Sequence, residues 1–410
     1  MPGLARATAD AVLKEFYLPG IRDILNNTFF LLSQLDQNTE DVEGRRAVLS
    51  VHTGRNQGIG ARGENETLPT AGYQGYSEER VPLKYNYGRI QLSGPVMRAM
   101  GSDRGSFTRA LQSESDGVVK DLRNDVNRQL YGTSDGVIAT VTSGAGQVLT
   151  LTTPTATQLR QLQVGMLIDI GTAANPVARS QGVTISAVNT TAGTVTVVGT
   201  VGTISAGDLI FRAGSQGGGS YGAVGQREMT GLQTQINNSG VLWNIDPTNA
   251  PNWVSFVNNT GGAVAEDMFI QAMQEVNIAS GEEINLWVTD NTVHRKVAAL
   301  MTSLKRFPTP VELHGGYTGL DMSAVGQGNS GANTVTMVFD KDCPAKTAFG
   351  ITTKRFRWYK ASDWEFMEED GSVLNRVPNV DAYEGTLFLY AELATDGRNA
   401  HAKIGTLNAA

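Results

Sequence analysis

The sequence feature that most constrains the fold is a segment, residues 54–95, in which glycines recur and no continuous apolar face forms. Arginine and glutamate residues are scattered along it. We predict a long extended hairpin or loop, with arms around residues 78–87 and 88–93. An isolated two-stranded hairpin is at best marginally stable in water, so this segment requires a surface on which to lie. Its glycines are Gly54, Gly58, Gly60, Gly63, Gly72, Gly75, Gly88 and Gly94.

Length and composition indicate a globular protein with more than one domain. The chain has 410 residues, of which 40% are hydrophobic and 18% are charged, and domains of roughly 100 to 200 residues give two or three units. We find neither a run of apolar residues long enough to span a membrane nor a secretory signal. The single cysteine, Cys343, excludes an intrachain disulfide framework and suits a reducing cytoplasm.

Helical periodicity is clearest in residues 106–131, where apolar side chains form one stripe between an N-cap at Ser106 and a terminating Gly132. At 1.5 Å per residue, about 25 residues make a rod of roughly 37 Å. Residues 4–33 have an interrupted stripe that predicts two short amphipathic helices. These helices pack either on other molecules or on the chain's own body, and the sequence leaves both alternatives open.

Residues 136–214 form a block with a different composition, rich in threonine, valine and glycine. Short β-prone runs separated by glycine or asparagine turns predict a small all-β barrel inserted into the rest of the chain. The only charged residues of the block are Arg160, Asp169, Arg179, Asp208 and Arg212.

The remaining sequence predicts a mixture of helices and strands. A helix over residues 266–279 ends at Gly281, and a strand at 286–289 leads into a helix N-capped by Asp290. An Asp370-Gly371 turn predicts a hairpin before a final strand at residues 386–393.

The sequence motifs that resemble catalytic or binding sites lack the context that their chemistry needs. Residues 58–63 match a dinucleotide-binding glycine pattern, but no helical stripe follows to hold a pyrophosphate, so a flexible loop is favoured. Nothing local pairs Cys343 with a base, so we interpret it as a partly buried structural residue. No histidine has a second zinc ligand at i+3 or i+4. The histidines are His52, His294, His314 and His401.

Glu368, Glu369 and Asp370 form an acidic cluster, which is one pattern for a metal or general-base site. Their position beside the Asp370-Gly371 turn favours solvated hairpin residues instead.

Several stretches of the chain, taken in order, resemble the major capsid proteins of tailed double-stranded DNA phages, whose Hong Kong 97-like fold encapsulins share. The similarity covers nearly the whole chain outside the β-rich block, and its strength lies in the number and order of the motifs. They read LSVHTGRNQGIGARGENETLPTAGYQG (49–75), VPLKYNYGRIQLSGP (81–95), NDVNRQLYG (124–132), GLQTQINNSG (231–240), MFIQAMQEV (268–276) and DAYEGTLFLYAELATDGRNAHAKIGTL (381–407).

The resemblance implies an α+β Hong Kong 97-like capsid fold with an inserted small all-β barrel. The implied regions are an N-terminal arm (1–53), an E-loop that reaches over a neighbouring subunit (54–97), a P-domain with its spine helix (98–135), the inserted barrel (136–214), a P-domain to A-domain connection (215–284), an A-domain (285–356) and C-terminal strands of both domains (357–410).

The implied function is structural: a subunit that self-assembles into an icosahedral shell around phage DNA, with no enzymatic activity and no cofactor. We expect hexamers and pentamers, with scaffolding, portal and decoration proteins as partners, and no membrane. The net charge of −7 opposes broad binding to phosphate backbones, so DNA would be enclosed without sequence-specific contacts. Assembly is expected in the host bacterial cytoplasm. Because the sequence starts at Met1, we expect no long scaffold domain before the arm.

Eight of the nine charged residues in the segment 54–95 are the predicted intersubunit contacts, as a polar rim that sets the register of docking; plain solvated surface is the alternative. Some relatives join an E-loop lysine to an asparagine of a neighbour with the help of a carboxylate. By resemblance Lys84 is the candidate lysine, with Asn375 and either Glu368 or Glu369, although spacing does not establish the geometry. The predicted contacts are Arg55, Arg62, Glu64, Glu78, Glu79, Arg80, Lys84 and Arg89.

Two other functions remain open at this point. An encapsulin-like nanocompartment shell would share the fold, although such shells typically lack an inserted barrel of this kind. A β-domain surface adhesin would explain the threonine- and glycine-rich block, but the missing secretory signal and the helical regions oppose it.

Overall fold

The computed structural model of the chain describes residues 30–38, 42–95, 104–199, 201–303, 310–313, 317–321, 335–368 and 371–408. Most of the predicted N-terminal helices, at residues 4–33, therefore lie outside the described residues, and only Phe30–Ser33 (α1) is seen as helix. Glu369 and Asp370 also lie outside. The described chain is a mixed α+β protein, as the sequence predicts.

The central sheet of the body is organised around one long strand near the C-terminus. The strand β22 (Ala382–Thr395) pairs antiparallel with β5 (Lys84–Ser93) over the whole length of β5. On its other edge it meets β19, β20 and β21, with β1 outermost. Asp370 of the predicted Asp370-Gly371 turn lies outside the described residues; on either side of it, β20 and β21 each pair antiparallel with β22. The bounds are β1 Asp36–Asn38, β19 Phe356–Lys360, β20 Glu365–Phe366 and β21 Asn375–Arg376.

The predicted long helix is present as α2 (Arg104–Tyr131) and lies on this sheet. Its buried residues Leu122 and Val126 join one hydrophobic cluster with Ile90 and Leu389 of the sheet. The helix approaches β5 closely at Gly88, where an added Cβ would lie 2.5 Å from Leu122 Cδ1. A side chain at that position would therefore separate the helix from the sheet.

The extended segment forms a different hairpin from the one predicted. The strands β3 (Arg46–Gly54) and β4 (Gly75–Pro82) pair antiparallel, with the short β2 (Val42–Glu43) beside β3. The predicted arms at residues 78–87 and 88–93 are wrong, because Lys84–Ser93 pairs with β22 instead. The reason is a tertiary contact. Every second side chain in the C-terminal half of β5 is buried under α2, and β5 reaches that position by pairing with β22 in the central sheet.

Six strands between Val137 and Arg212 close into a barrel in the order β10-β7-β6-β11-β8-β9. The first of them, β6, was absent from the sequence prediction. A short helix, α3 (Ala156–Gln161), has a capping box at Thr155. Its strands are β6 Val137–Ala145, β7 Val148–Leu151, β8 Leu167–Gly171, β9 Ser180–Asn189, β10 Thr194–Val198 and β11 Leu209–Arg212.

A second, seven-stranded sheet carries two further helices. At its centre β14 lies parallel to β17 and antiparallel to β18. The predicted helices are confirmed as α5 (Glu266–Ser280), which ends at a left-handed Gly281, and α6 (Asn291–Ser303), which Asp290 precedes. Its strands are β12 Phe256–Asn258, β14 Leu286–Thr289, β15 Pro310–Leu313, β16 Tyr317–Asp321, β17 Thr336–Phe339, β18 Ala348–Ile351 and β23 Ala402–Ile404.

Three short elements complete the described fold. They are α4 (Leu232–Gln235) and a two-stranded ribbon of β13 (Gly262–Ala263) and β24 (Leu407–Asn408). Among the described helices, none combines the length and the apolar character needed to cross a membrane.

Candidate assembly surface

The tip of the hairpin, residues 55–74, contains neither helix nor strand. The glycine pattern at residues 58–63 therefore opens no helix, in agreement with the interpretation as a loop. Three large apolar side chains are mostly exposed: Ile59 at 62%, Leu68 at 80% and Tyr73 at 87%. None of them belongs to a hydrophobic cluster of the described chain. The tip thus offers apolar surface that the described residues of the chain leave uncovered.

The shape of the tip comes from local polar contacts and from two facing glycines. Asn56 Nδ2 donates to the Gly72 carbonyl at 3.2 Å, which ties the two edges of the tip together. At the base, a Cβ on Gly54 would lie 3.0 Å from Gly75 Cα. The close approach of these two backbones is possible because neither residue has a side chain.

The root of the hairpin, which consists of the paired strands β3 and β4, is in contrast docked on the body of the chain. The body comprises the central sheet, α2 and the segment of residues 242–253. Ala47, Val51 and Val81 point inward and join a hydrophobic cluster with residues of the 242–253 segment and of the central sheet. The backbone N–H of Arg80 donates to the carbonyl of Trp243 at 3.1 Å. The partners in the body are Leu242, Trp243, Ile245, Ala250, Trp253, Tyr359 and Ala394.

Most of the predicted contact residues are exposed. Arg55, Arg62 and Glu64 lie on the tip, while Glu78 and Arg80 form an ion pair of 2.8 Å on the outer face of β4. Arg89 pairs with Glu384 across β5 and β22.

Glu79 is the exception, and its prediction as a solvated or rim residue is wrong. Its side chain is 0% exposed, and neither carboxylate oxygen has a hydrogen-bond partner among the described residues. Strand alternation turns Glu79 inward together with Val81. Desolvation by burial, and then the charge of Asp396, raises the pKa of Glu79 well above its ordinary value.

The candidate cross-linking residues are not brought together within one chain. Lys84 Nζ donates to the carbonyl of Gln226 at 2.8 Å, and Lys84 lies opposite Ala391 of β22. Asn375 lies opposite Glu384, seven residues earlier on that strand, or roughly 23 Å at 3.3 Å per residue. Glu368 is exposed, and Glu369 lies outside the described residues. A bond between subunits stays a prediction.

A buried ion pair that the sequence analysis missed lies where the helix α2, the barrel and the body meet. Arg128 Nη1 donates to Glu228 Oε2 at 2.9 Å, and Asp125 lies 3.1 Å from the same guanidinium. Burial raises the pKa of Glu228, although Arg128 opposes this rise. The spacing of Asp125 and Arg128, three residues apart on α2, is the one signal that the sequence offered.

A polar cleft of about 560 Å³ opens beside this ion pair, between the barrel and the body. Arg160 of the barrel helix donates to the Lys341 carbonyl at 2.9 Å, and Arg212 of β11 lies 3.9 Å from Asp125. The cleft mixes cationic and anionic side chains, so it fits a joint between two regions better than a site for one charged ligand.

No described group of side chains has the arrangement of an active site. Cys343 is buried, and burial raises the pKa of its thiol well above the ordinary value, which keeps it protonated and unreactive. Within the described ranges no three His, Cys, Asp or Glu residues are placed to hold a metal ion. The buried His401 lies between Thr352 and Thr395, and burial lowers its pKa to about 3.

No protein-family model matches the chain, and no curated protein matches it in sequence. The chain is similar to a chain of the cyanophage A-1(L) capsid asymmetric unit, with a TM-score of 0.55 and 12% identity, covering 92% of this chain and 93% of that one.

Two further solved structures resemble the chain more distantly. A chain of the capsid of Myoviridae phage XM1 has a TM-score of 0.42 at 10% identity and covers 92% of this chain and 90% of that one. A chain of the holo-SrpI encapsulin complex from Synechococcus elongatus PCC 7942 has a TM-score of 0.46 at 10% identity and covers 100% and 97%. The similarity to the cyanophage chain extends over nearly the whole length of both proteins. The chain therefore shares the fold of that cyanophage capsid chain.

Proposed function

We propose that this chain is a non-enzymatic structural subunit that self-assembles into the icosahedral shell of a tailed phage. The observation that carries the proposal is the hairpin tip. Its exposed Ile59, Leu68 and Tyr73 have no cover within the described chain, although the root of the same hairpin is firmly docked. A second copy of the chain is the cover that a shell provides.

The regions of the fold then take the roles that the resemblance implies. The hairpin acts as an E-loop over a neighbouring subunit, and α2 with the central sheet forms the P-domain. The seven-stranded sheet with α5 and α6 forms the A-domain at the centres of hexamers and pentamers. The barrel is an inserted domain of the shell. Affinity arises from many contacts per subunit, since each copy embraces several neighbours.

The shell encloses double-stranded DNA and does not bind it sequence-specifically. A net charge of −7 supports this role, because an acidic wall does not trap a packaged polyanion. Scaffolding, portal and decoration proteins are the proposed partners, and assembly takes place in the cytoplasm of the host bacterium.

Removal of the tip tests the proposal most directly. We expect the purified full chain to form uniform hollow polyhedra by negative-stain electron microscopy. A variant in which two glycines replace residues 56–73 should keep the circular dichroism spectrum of the body but form no polyhedra, because the uncovered apolar surface is gone.

The matched control is Thr67→Ser with Thr70→Ser, which keeps the apolar and the charged side chains of the tip and should still assemble. Polyhedra formed by the tip-deleted chain would contradict the proposal. Native particles filled with a protein cargo in place of DNA would favour an encapsulin-like compartment.

A further inference from the structure

The root of the hairpin contains a buried acid for which the structure provides no partner. Glu79 is fully buried in β4, between the inward-facing side chains of the root and the end of β22. Both of its carboxylate oxygens lack a hydrogen-bond partner among the described residues. An ionised carboxylate without a partner is strongly disfavoured in such a place, so the closed root favours the neutral form of this group.

The charged groups around Glu79 do not relieve this cost. On the body side, the nearby charge that acts on it is Asp396, which repels an ionised Glu79. Burial raises the pKa of Asp396 itself, while the positive charges of Arg355 and Arg357 oppose this rise. The hydrogen bond from Arg80 lowers the pKa of Glu78, and the positive charge of Arg46 on β3 adds to this effect.

The other ionisable groups of the root have partners elsewhere. Glu78 and Arg80 of β4 pair with each other on the outer face, away from Glu79. Glu392 lies on the same face of β22 as Ala394, but it accepts hydrogen bonds from the backbone of Thr230 and Leu393. The phenol of Tyr359 belongs to the same hydrophobic cluster as the root. None of these groups supplies a positive charge to Glu79.

We propose that Glu79 is a pH-sensitive latch: with its carboxyl protonated the hairpin root stays closed on the body, and ionisation opens the root and frees the tip to move. The contacts that would open are the Arg80 to Trp243 hydrogen bond and the packing of Val51 and Val81 on the 242–253 segment. The latch belongs to a single chain, so it stands apart from the proposed assembly.

The direction of the pH effect follows from linkage. Desolvation, and then Asp396, raises the pKa of Glu79 in the closed root, whereas the solvated group of an open root has its ordinary pKa. The closed form therefore has its full advantage below the ordinary pKa. This advantage falls as pH rises from the ordinary to the raised pKa, by up to about tenfold in the closed-to-open equilibrium per pH unit.

Hydrogen exchange of the full-length chain, followed by mass spectrometry between about pH 5 and pH 9 and corrected for the intrinsic exchange rate, tests the latch. In the wild-type chain, protection of residues 46–54 and 75–82 should fall with rising pH by up to about tenfold per unit. Glu79→Gln should keep these strands protected at every pH. The barrel strands serve as an internal reference without such a slope.

Glu78→Gln is the matched control, since it removes the neighbouring exposed carboxylate and should behave as the wild-type chain does. Glu79→Met removes the acid with a side chain of similar length and gives the same test if the glutamine variant fails to fold. A wild-type chain without any slope, or a Glu79 variant with the wild-type slope, would overturn the latch.

Discussion

The hairpin and the barrel differ in the contacts that stabilise them. The barrel contains a hydrophobic cluster made only of its own residues, including Val141, Ile170 and Val195, each 0% exposed. The hairpin has no such cluster: its root shares one with the body, and its tip belongs to none. The barrel thus has a hydrophobic core of its own, whereas the hairpin is ordered by the other surfaces that it contacts.

The number and the exposure of charged residues also differ between the barrel and the hairpin. The barrel block has five charged residues, and two of them, Asp169 and Asp208, are buried. Asp208 pairs with Arg179, while Arg160 and Arg212 face the body. The hairpin has exposed charges of both signs along its whole length. A region rich in solvated charge has a surface suited to setting register against a partner.

The largest contrast is expected from placing one charge in each region. Ile170→Asp puts an unpaired carboxylate into the barrel core and should lower the free energy of unfolding of the barrel by about 3–5 kcal/mol. Leu68→Asp adds a charge to the exposed tip and should leave unfolding unchanged while it prevents assembly. Chemical denaturation and electron microscopy of both variants measure the two effects. Similar losses of stability in the Ile170→Asp and Leu68→Asp variants would contradict the difference between the barrel and the hairpin.

A second test concerns the joint that connects the barrel to the body. Arg128→Met leaves Glu228 buried without its partner and should lower the free energy of unfolding by about 3 kcal/mol. The pKa of Glu228 should rise further, so the loss is largest at high pH and smaller as the group is protonated at low pH. Thermal unfolding at several pH values measures this.

The double variant Arg128→Met with Glu228→Gln should recover most of the stability of the joint and lose the added pH dependence. If the double variant is as unstable as the single one, packing of the arginine and not its charge holds the joint.

The smallest effect is expected at the cap of the barrel helix. Thr155→Ala removes the side chain that accepts from the N–H of Gln158 and should lower the free energy of unfolding of the barrel by about 1 kcal/mol. Substitution of the exposed Thr203 by alanine is the control and should change it by less than about 0.5 kcal/mol. A shift of the whole chain's unfolding in place of the barrel's own transition would show that the barrel does not unfold as a unit.

Local patterns predicted those elements that local forces determine. The stripe of α2, the left-handed stop at Gly281 and the threonine-rich strands of the barrel depend on neighbours a few residues apart in sequence. The pairing of the hairpin was predicted wrongly because the choice between β4 and β22 as a partner for β5 depends on residues about 300 positions away.

Local composition and periodicity already specify that residues 54–95 are extended and need a surface on which to lie, that one long helix forms, and that a nearly uncharged β-rich block forms strands, because both act over short distances. Only the tertiary structure decided that Glu79 is buried without a partner, that Arg128 meets Glu228, and that β5 belongs to the body. Burial and ion pairing depend on which distant surfaces meet, and neighbouring residues do not encode that choice.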